Sequence, residues 1–359
     1  MNSFTSNFKI ARMLIAFISL FFVTEAAFRY YSFGAESIYR FWEYSPRAIT
    51  DSKFVDAATN PKIGYRLSAN TEGRFKAAPL SINPLGFRGS NQATIEKPKL
   101  TYRIALLGAS IDMGTGVSNE QTYAYRLEQH LNNAFSQRIE VQNHAVGGYK
   151  ALQIEESFWA NVDKFKPDLI LLPLHPKFFN RIYQPLHLKG SNEFCFEIRC
   201  HLQNFFFLKA LMSHARDFTK HLHKIGWFGD KRHWRSITEK KSQEKKINKA
   251  KENAIFKRFV NNLKAANYKV VVMRLPTLDS FSSKQKTEGF DNIWKQWLSE
   301  AKPTLAINTS YEVQSKISLN DSIYLGDKHP NSRVHALYAD AIFQPLSSFI
   351  GKALLNKAN

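Results

Sequence analysis

Three side chains in this chain of 359 residues have the types and the order that serine chemistry requires. Ser110 follows the apolar run Ile104 to Leu107 in RIALLGASIDMG, where a buried strand ends and the chain turns toward a helix. Open α/β sheets bind their ligands at that edge, and a hydroxyl placed there stands clear of the sheet. A serine is a poor nucleophile until a base takes its proton, and imidazole titrates in the right range to do so. His329, in the late segment LGDKHPNS, supplies the imidazole. Asp327, two residues earlier, supplies a carboxylate to fix the ring's tautomer and to stabilise the imidazolium. One short loop before the last helix therefore offers both base and orienter. An oxyanion formed at Ser110 also needs donors. The backbone amides of Ser110 and Gly148 fall in turns at the ends of successive strands, and Asn180 is the nearest side-chain amide after the third strand. His335 is expected on a helix face and His144 in a packing or capping role.

The elements that must position these groups follow from hydrophobic patterning. Ile104 to Leu107 reads as a first strand, with Tyr123, Leu127 and Leu131 on the apolar face of the next helix. Ile139 to Gln142 is a second strand, Gly147-Gly148 a tight turn, and a helix runs on through Phe158 and Phe165. PDLILLPLHP, Pro167 to Pro176, is a third strand whose unbroken apolar run fits burial on both faces. From about 177 to 251 the pattern changes to FFFLKALMSHARDFTKHLHKIGWF and then to the strongly basic KRHWRSITEKKSQEKKINKAK, an insertion in the core. Ile255, Phe259 and Leu263 make a helix stripe that Asn267 ends, and Val270 to Leu275 is a further strand. FDNIWKQWLSEAK, LAINTS and a final helix complete the chain. This alternation predicts an α/β domain with a parallel sheet and right-handed crossovers.

Ahead of that domain, Lys9 and Arg12 precede the uncharged stretch Met13 to Thr24, and Glu25, Arg29 and a cluster of aromatics follow. The core is short against the roughly 20 residues a spanning helix needs. With Arg12 and Arg29 snorkelling, a span from about Ile10 to Tyr31 is feasible. The alternative is a cleaved signal peptide, with small residues around Thr24-Glu25-Ala26. On either reading the basic residues keep the amino terminus inside and place the body outside the cytoplasm, in the periplasm of a cell with an inner membrane. The expected division is an anchor over 1–33, a lead-in over 34–99 rich in turn formers, and the α/β domain over 100–359 with its insertion at about 177–251. In the lead-in, SINPLGFRGS implies turns at Pro84, Gly86 and Gly89, with Phe87 tucked inside.

The 50 Lys plus Arg against 30 Asp plus Glu give a net charge of +20, a field that attracts anionic lipid or an anionic polymer. Lys231, Arg232, Trp234, Arg235 and the lysines after Lys240 are candidates to touch such a partner; the alternative is a solvated helix face. No nucleic-acid-binding motif accompanies the charge. Cys195 and Cys200, in FCFEIRC, have neither CxxC spacing nor a second Cys/His pair beside them, so neither a redox pair nor a zinc site is expected. They form a local disulfide in an oxidising compartment or remain two buried thiols. No cofactor or metal is expected.

The order of strand, Gly-x-Ser turn, Gly turn, third strand and late Asp-x-His-Pro-Asn before a terminal helix resembles the SGNH hydrolases, or GDSL esterase/lipase superfamily. INPLGFRG, with Asn83, Gly86, Phe87 and Arg88, is similar to a segment of the membrane-anchored bacterial branch. The resemblance implies a flavodoxin-like three-layer α/β/α domain. It also implies Ser110 as nucleophile, Gly148 as oxyanion donor, His329 as general base and Asp327 as its partner, acting on acyl, especially acetyl, esters of cell-envelope polysaccharide by hydrolysis or acyl transfer. There are two departures. The family's Gly-Asp-Ser is Gly108-Ala109-Ser110, and its Gly-x-Asn-Asp block reads PLHPKFFNRI, where Asn180 or His175 would stand in. They leave open a second class of function, a degenerate relative that binds glycan or a membrane partner during surface-polymer assembly.

Overall fold

The computed structural model describes residues 2–89, 93–175, 205–212, 215, 247, 250–278 and 284–358. Asn180, Cys195, Cys200 and nearly all of the basic insertion lie outside the described residues. A long helix α1 (Asn2–Phe33) and a short α2 (Glu36–Tyr39) open the chain. Two antiparallel hairpins follow, β1 (Val55–Ala57) with β2 (Tyr65–Leu67) and β3 (Thr71–Phe75) with β4 (Ala78–Ile82).

The domain itself is built on five parallel strands: β5 (Thr101–Leu106), β6 (Arg138–Asn143), β7 (Leu169–Leu174), β8 (Lys269–Arg274) and β9 (Leu305–Asn308). They lie in the order β6-β5-β7-β8-β9. Counted within this sheet alone that is 2-1-3-4-5, the flavodoxin-like doubly wound order. The three-layer α/β/α expectation is thus what the chain adopts. All six residues of β5 and all six of β7 are buried; β7 is accordingly a continuous apolar run, while β5 carries Arg103, buried against Glu140 at 2.9 Å. One face of the sheet, with Ala105, Ile170 and Val270, packs on Phe158 and on Phe256, Phe259 and Leu263 of the helix over 250–265. The other, with Ile104, Leu169 and Val271, packs on Leu127 and Leu131 of α4 (Tyr123–Ala134) and on Tyr338, Ile342 and Leu346 of the terminal helix Ser332–Ala358.

The amino-terminal helix has a stretch, Ile10–Phe33, long and apolar enough by length and composition to cross a membrane. The expected snorkelling of Arg29 is corrected by the structure. Arg29 is fully buried and pairs with Glu25 at 2.7 Å, one helical turn away, because the body of the protein closes over this end of the helix.

The hairpins of the lead-in were not expected from the sequence, since three-residue strands are too short to show a two-residue period. The INPLGFRG signature proves to be a clamp. The Asn83 side-chain oxygen accepts hydrogen bonds from the Leu85 and Phe87 amides, Gly86 takes φ +81°, and Phe87 is buried. This turn delivers Arg88 into the domain. Its guanidinium donates to the carbonyls of Met113 (2.8 Å), Gly114 (2.6 Å) and Val117 (2.6 Å) and to the Asn119 side chain (2.7 Å). Burial lowers the Arg88 pKa to about 9, with the Glu120 charge opposing. Replacing Arg88 by Leu strands the buried Met113 and Val117 carbonyls, Gly114 keeping the Val117 amide, so unfolding in urea should show a stability loss of about 2–5 kcal/mol. An unchanged midpoint would mean that the clamp carries no structural weight.

Candidate active site

The candidate nucleophile sits where the sequence places it. After β5 the chain turns through Gly108 (φ +149°), and Ser110 is the first residue of the one-turn helix α3 (Ser110–Met113), partly exposed. A side chain at Gly108 is impossible, because its Cβ would fall 2.2 Å from Asp112 Oδ2. That carboxylate organises the turn. Fully buried, Asp112 accepts from the Ala109 amide (2.9 Å), the Tyr123 hydroxyl (2.8 Å) and His175 Nε2 (2.9 Å). The ends of β5 and β7 and the start of α4 are thereby tied to one group. The sequence reading passed over Asp112; its position three residues after Ala109, suited to bonding back to the amide that opens a helix, was the available signal. His175 is corrected as a stand-in oxyanion donor, because its Nε2 is committed to Asp112.

Gly148 lies beside this turn. The His144 amide donates to the Leu106 carbonyl (2.9 Å) and the Val146 amide to that of Gly108 (3.2 Å), so the loops after β5 and β6 are joined. Gly148 has φ +89°, and a Cβ there would approach the Tyr65 hydroxyl to 2.6 Å. Tyr65, from the lead-in, donates to the Gly147 carbonyl at 2.7 Å. Among the described residues neither the Ser110 nor the Gly148 amide has a backbone acceptor, as an oxyanion donor requires.

Asp327 and His329 form the pair the spacing predicts. Asp327 Oδ1 accepts from the His329 amide (2.8 Å) and meets His329 Nδ1 at 2.6 Å, which leaves Nε2 as the ring's outer nitrogen. The other carboxylate oxygen accepts from Lys76 Nζ at 2.5 Å. Lys76, at φ +58° in the β3–β4 turn, was not foreseen, because the turn that presents it is a long-range partner 251 residues away in sequence. Burial works against ionising Asp327, but the His329 and Lys76 charges and hydrogen bonds outweigh it and hold the carboxyl well below the usual range. The buried Tyr324 hydroxyl lies near the same carboxylate without ordinary hydrogen-bond geometry, and burial followed by the Asp327 charge raises its pKa.

This loop packs on the one that follows Ser110. The Ile323 amide donates to the His329 carbonyl (3.1 Å), and Ile323 Cδ1 approaches so closely that a Cβ on Gly116 would be 2.3 Å from it. Asn331 caps the terminal helix by accepting from the Val334 amide at 3.2 Å. The structure thus brings the His329 loop against the segment of chain just after α3.

His144 and His335, the two other histidines considered in the sequence, are structural. His144 stacks between Phe87 and Phe165, with centroids at 4.4 and 5.2 Å, and its Nε2 bonds the Gln142 side chain. His335 lies on the terminal helix as expected, on its buried face, and its Nδ1 accepts from the Tyr123 amide at 3.3 Å, fastening that helix to α4. Burial lowers both pKa values from 6.5 to about 3, with neighbouring cations adding to it. Below pH 6.5 the unfolded chain binds protons that these rings refuse in the native state. Stability should therefore be full above 6.5 and fall as the pH drops toward 3, each ring contributing up to about 1.4 kcal/mol per pH unit. Urea titrations from pH 7 to 4 check this, and a His335→Asn variant should flatten the slope.

Among the described residues no cluster of His, Cys, Asp and Glu suits a metal ion. A cavity of about 470 Å³ at the β6 edge is lined by Arg88, Glu128 and Val141, and neither Ser110 nor His329 lines it.

No family model matches the chain, and no curated protein matches it in sequence. Solved structures do resemble it. The crystal structure of TesA is 11% identical, with TM-score 0.42 over 68% of this chain and 99% of that one. The psychrotrophic esterase EstA from Pseudoalteromonas sp. is 13% identical, with TM-score 0.41 over 70% and 99%. Axe2, an acetylxylan esterase from Geobacillus stearothermophilus, is 13% identical, with TM-score 0.40 over 68% and 93%. Likeness at this level is one of sheet and helices, and says nothing of what this chain acts on.

Proposed function

We propose that this chain is a membrane-tethered serine esterase of the SGNH type, with Ser110 as nucleophile, His329 as general base and Asp327 as its partner. The observation that carries the reading is the part-buried Asp327–His329 pair, with Nδ1 held at 2.6 Å, on a loop packed against the segment that follows Ser110. In the proposed reaction Ser110 Oγ attacks the ester carbonyl while His329 Nε2 takes its proton. The Ser110 and Gly148 amides receive the oxyanion. Collapse breaks the bond to the leaving alkoxide, which takes the proton from His329, and water or an acceptor hydroxyl then removes the acyl group by the same route.

Acetyl esters of cell-envelope polysaccharide are the proposed substrates, with the domain outside the cytoplasm. Retention of the amino-terminal helix is supported by Glu25, which pairs with Arg29 and accepts from the Phe206 and Phe207 amides (3.0 and 2.7 Å); cleavage after it would remove a buried contact. Acetate release from an O-acetylated envelope polysaccharide tests the substrate. Release by the wild type and its absence with Ser110→Ala is the expected result, and equal release by both would overturn it.

A further inference from the structure

The amino-terminal helix meets the candidate site through a continuous chain of contacts. Phe21 and Phe22, on the apolar stretch, pack on Phe205, with ring centroids at 5.1 and 6.0 Å. Phe205 begins the helix over 206–212, whose first amides are held by Glu25. One turn on, Ala210 lies so close to Gly326 that a Cβ there would come within 3.1 Å of the Ala210 Cα. Gly326 is the residue before Asp327. From Phe205 to Ala210 the rise is about 7.5 Å, so the His329 loop stands little more than one helical turn from the apolar stretch.

The length of that stretch sets how the body meets a membrane. From Ile10 to Val23 the helix is largely exposed; beyond it Glu25 and Arg29 are fully buried, while Tyr30 and Tyr31 stay exposed. The candidate span Ile10–Phe33 rises about 36 Å, against a hydrocarbon core of about 30 Å, and the body already packs on it at Phe21, Phe22, Glu25 and Arg29. That overlap seats part of the body in the lipid interface. The surface there suits that role. Trp42 is 80% exposed, Leu211 51%, Met212 55% and Leu325 61%. Trp42 adjoins Phe41, which packs on Phe205 at 5.9 Å; Leu211 and Met212 follow Ala210; Leu325 precedes Gly326. These side chains therefore surround the junction of helix and site loop. The net charge of +20, which belongs to the chain as a whole, draws the protein toward an anionic membrane surface.

We infer that the rim of Trp42, Leu211, Met212 and Leu325 sits in the head-group layer of the bilayer, so that the Asp327–His329 loop faces the lipid surface and receives an acyl ester on a molecule itself anchored there. The ester half rests on the proposed function above; the seating of the rim does not.

Spin labels test the seating in full-length protein, with Cys195 and Cys200 replaced by Ser, in vesicles of equal parts phosphatidylethanolamine and phosphatidylglycerol. Labels are placed through Leu211→Cys, Leu325→Cys and Asp340→Cys, the last an exposed position on the terminal helix. Collisions with oxygen should dominate at 211 and 325 and those with a water-soluble nickel chelate at 340; nickel dominance at all three overturns the seating. For the substrate, an acetyl ester carried on a vesicle-bound lipid should turn over at least about tenfold faster than the same ester without the lipid tail, through its higher local concentration. Equal rates overturn that half. If the labels report lipid contact while no ester is cleaved, the seating stands and the esterase reading fails; cleavage with an aqueous rim is the reverse.

Discussion

Ser110→Ala and His329→Ala should each lower kcat for a chromogenic acetyl ester by about ten-thousand- to a million-fold, and the double variant should lose little more than either alone. The near-equality carries the information. A hydroxyl and an imidazole that act as one unit fail together, whereas two residues that merely shape a pocket would give losses that multiply. The structure gives a reason to expect small collateral damage. Ser110 is partly exposed at the start of α3, and the backbone of its turn is held by Asp112 rather than by its own side chain. Circular dichroism and the urea midpoint of both variants should match the wild type. Losses of less than tenfold would remove both residues from the chemistry.

The second large effect belongs to Asp327. Asp327→Asn keeps the shape but presents an amide to a ring that needs an acceptor at Nδ1, so kcat should fall by about ten-thousand-fold through the wrong tautomer. Lys76 separates orientation from charge. It touches the far oxygen of the carboxylate at 2.5 Å. In Lys76→Met the Asp327 charge is no longer compensated, so the imidazole should hold its proton to higher pH. The acidic limb of kcat/KM should then move upward by about one pH unit, with the plateau largely kept. Lys76→Arg should restore the limb. A limb that stays in place while the plateau collapses would make Lys76 a structural residue only.

The framework was legible because the strands that form its centre are buried on both faces. β7 and the Ile104–Leu106 end of β5 read as apolar runs, and their helices repeat at the spacing of one buried stripe. The Asp327–His329 pair was legible for a local reason, since two residues of separation in a loop suffice for a carboxylate to reach the following imidazole. What escaped was long-range. Lys76 meets Asp327 from the tip of a hairpin whose strands are only five residues long, and Asp112 gathers Tyr123 and His175 from separate elements. Neither pairing leaves a periodicity or a spacing to read. Arg29 was misplaced for a related reason. It is a charged residue buried by a specific partner, Glu25, and polarity alone predicts exposure.

The account stands most directly on whether Ser110 is a nucleophile activated by His329. Full-length protein treated with a fluorophosphonate probe, digested and mapped by mass spectrometry reports this without knowledge of the substrate. A phosphonyl adduct on Ser110, formed rapidly in the wild type and nearly abolished in His329→Ala, is the predicted result. Folded protein that remains unmodified at Ser110, or one modified equally fast without the imidazole, would contradict it.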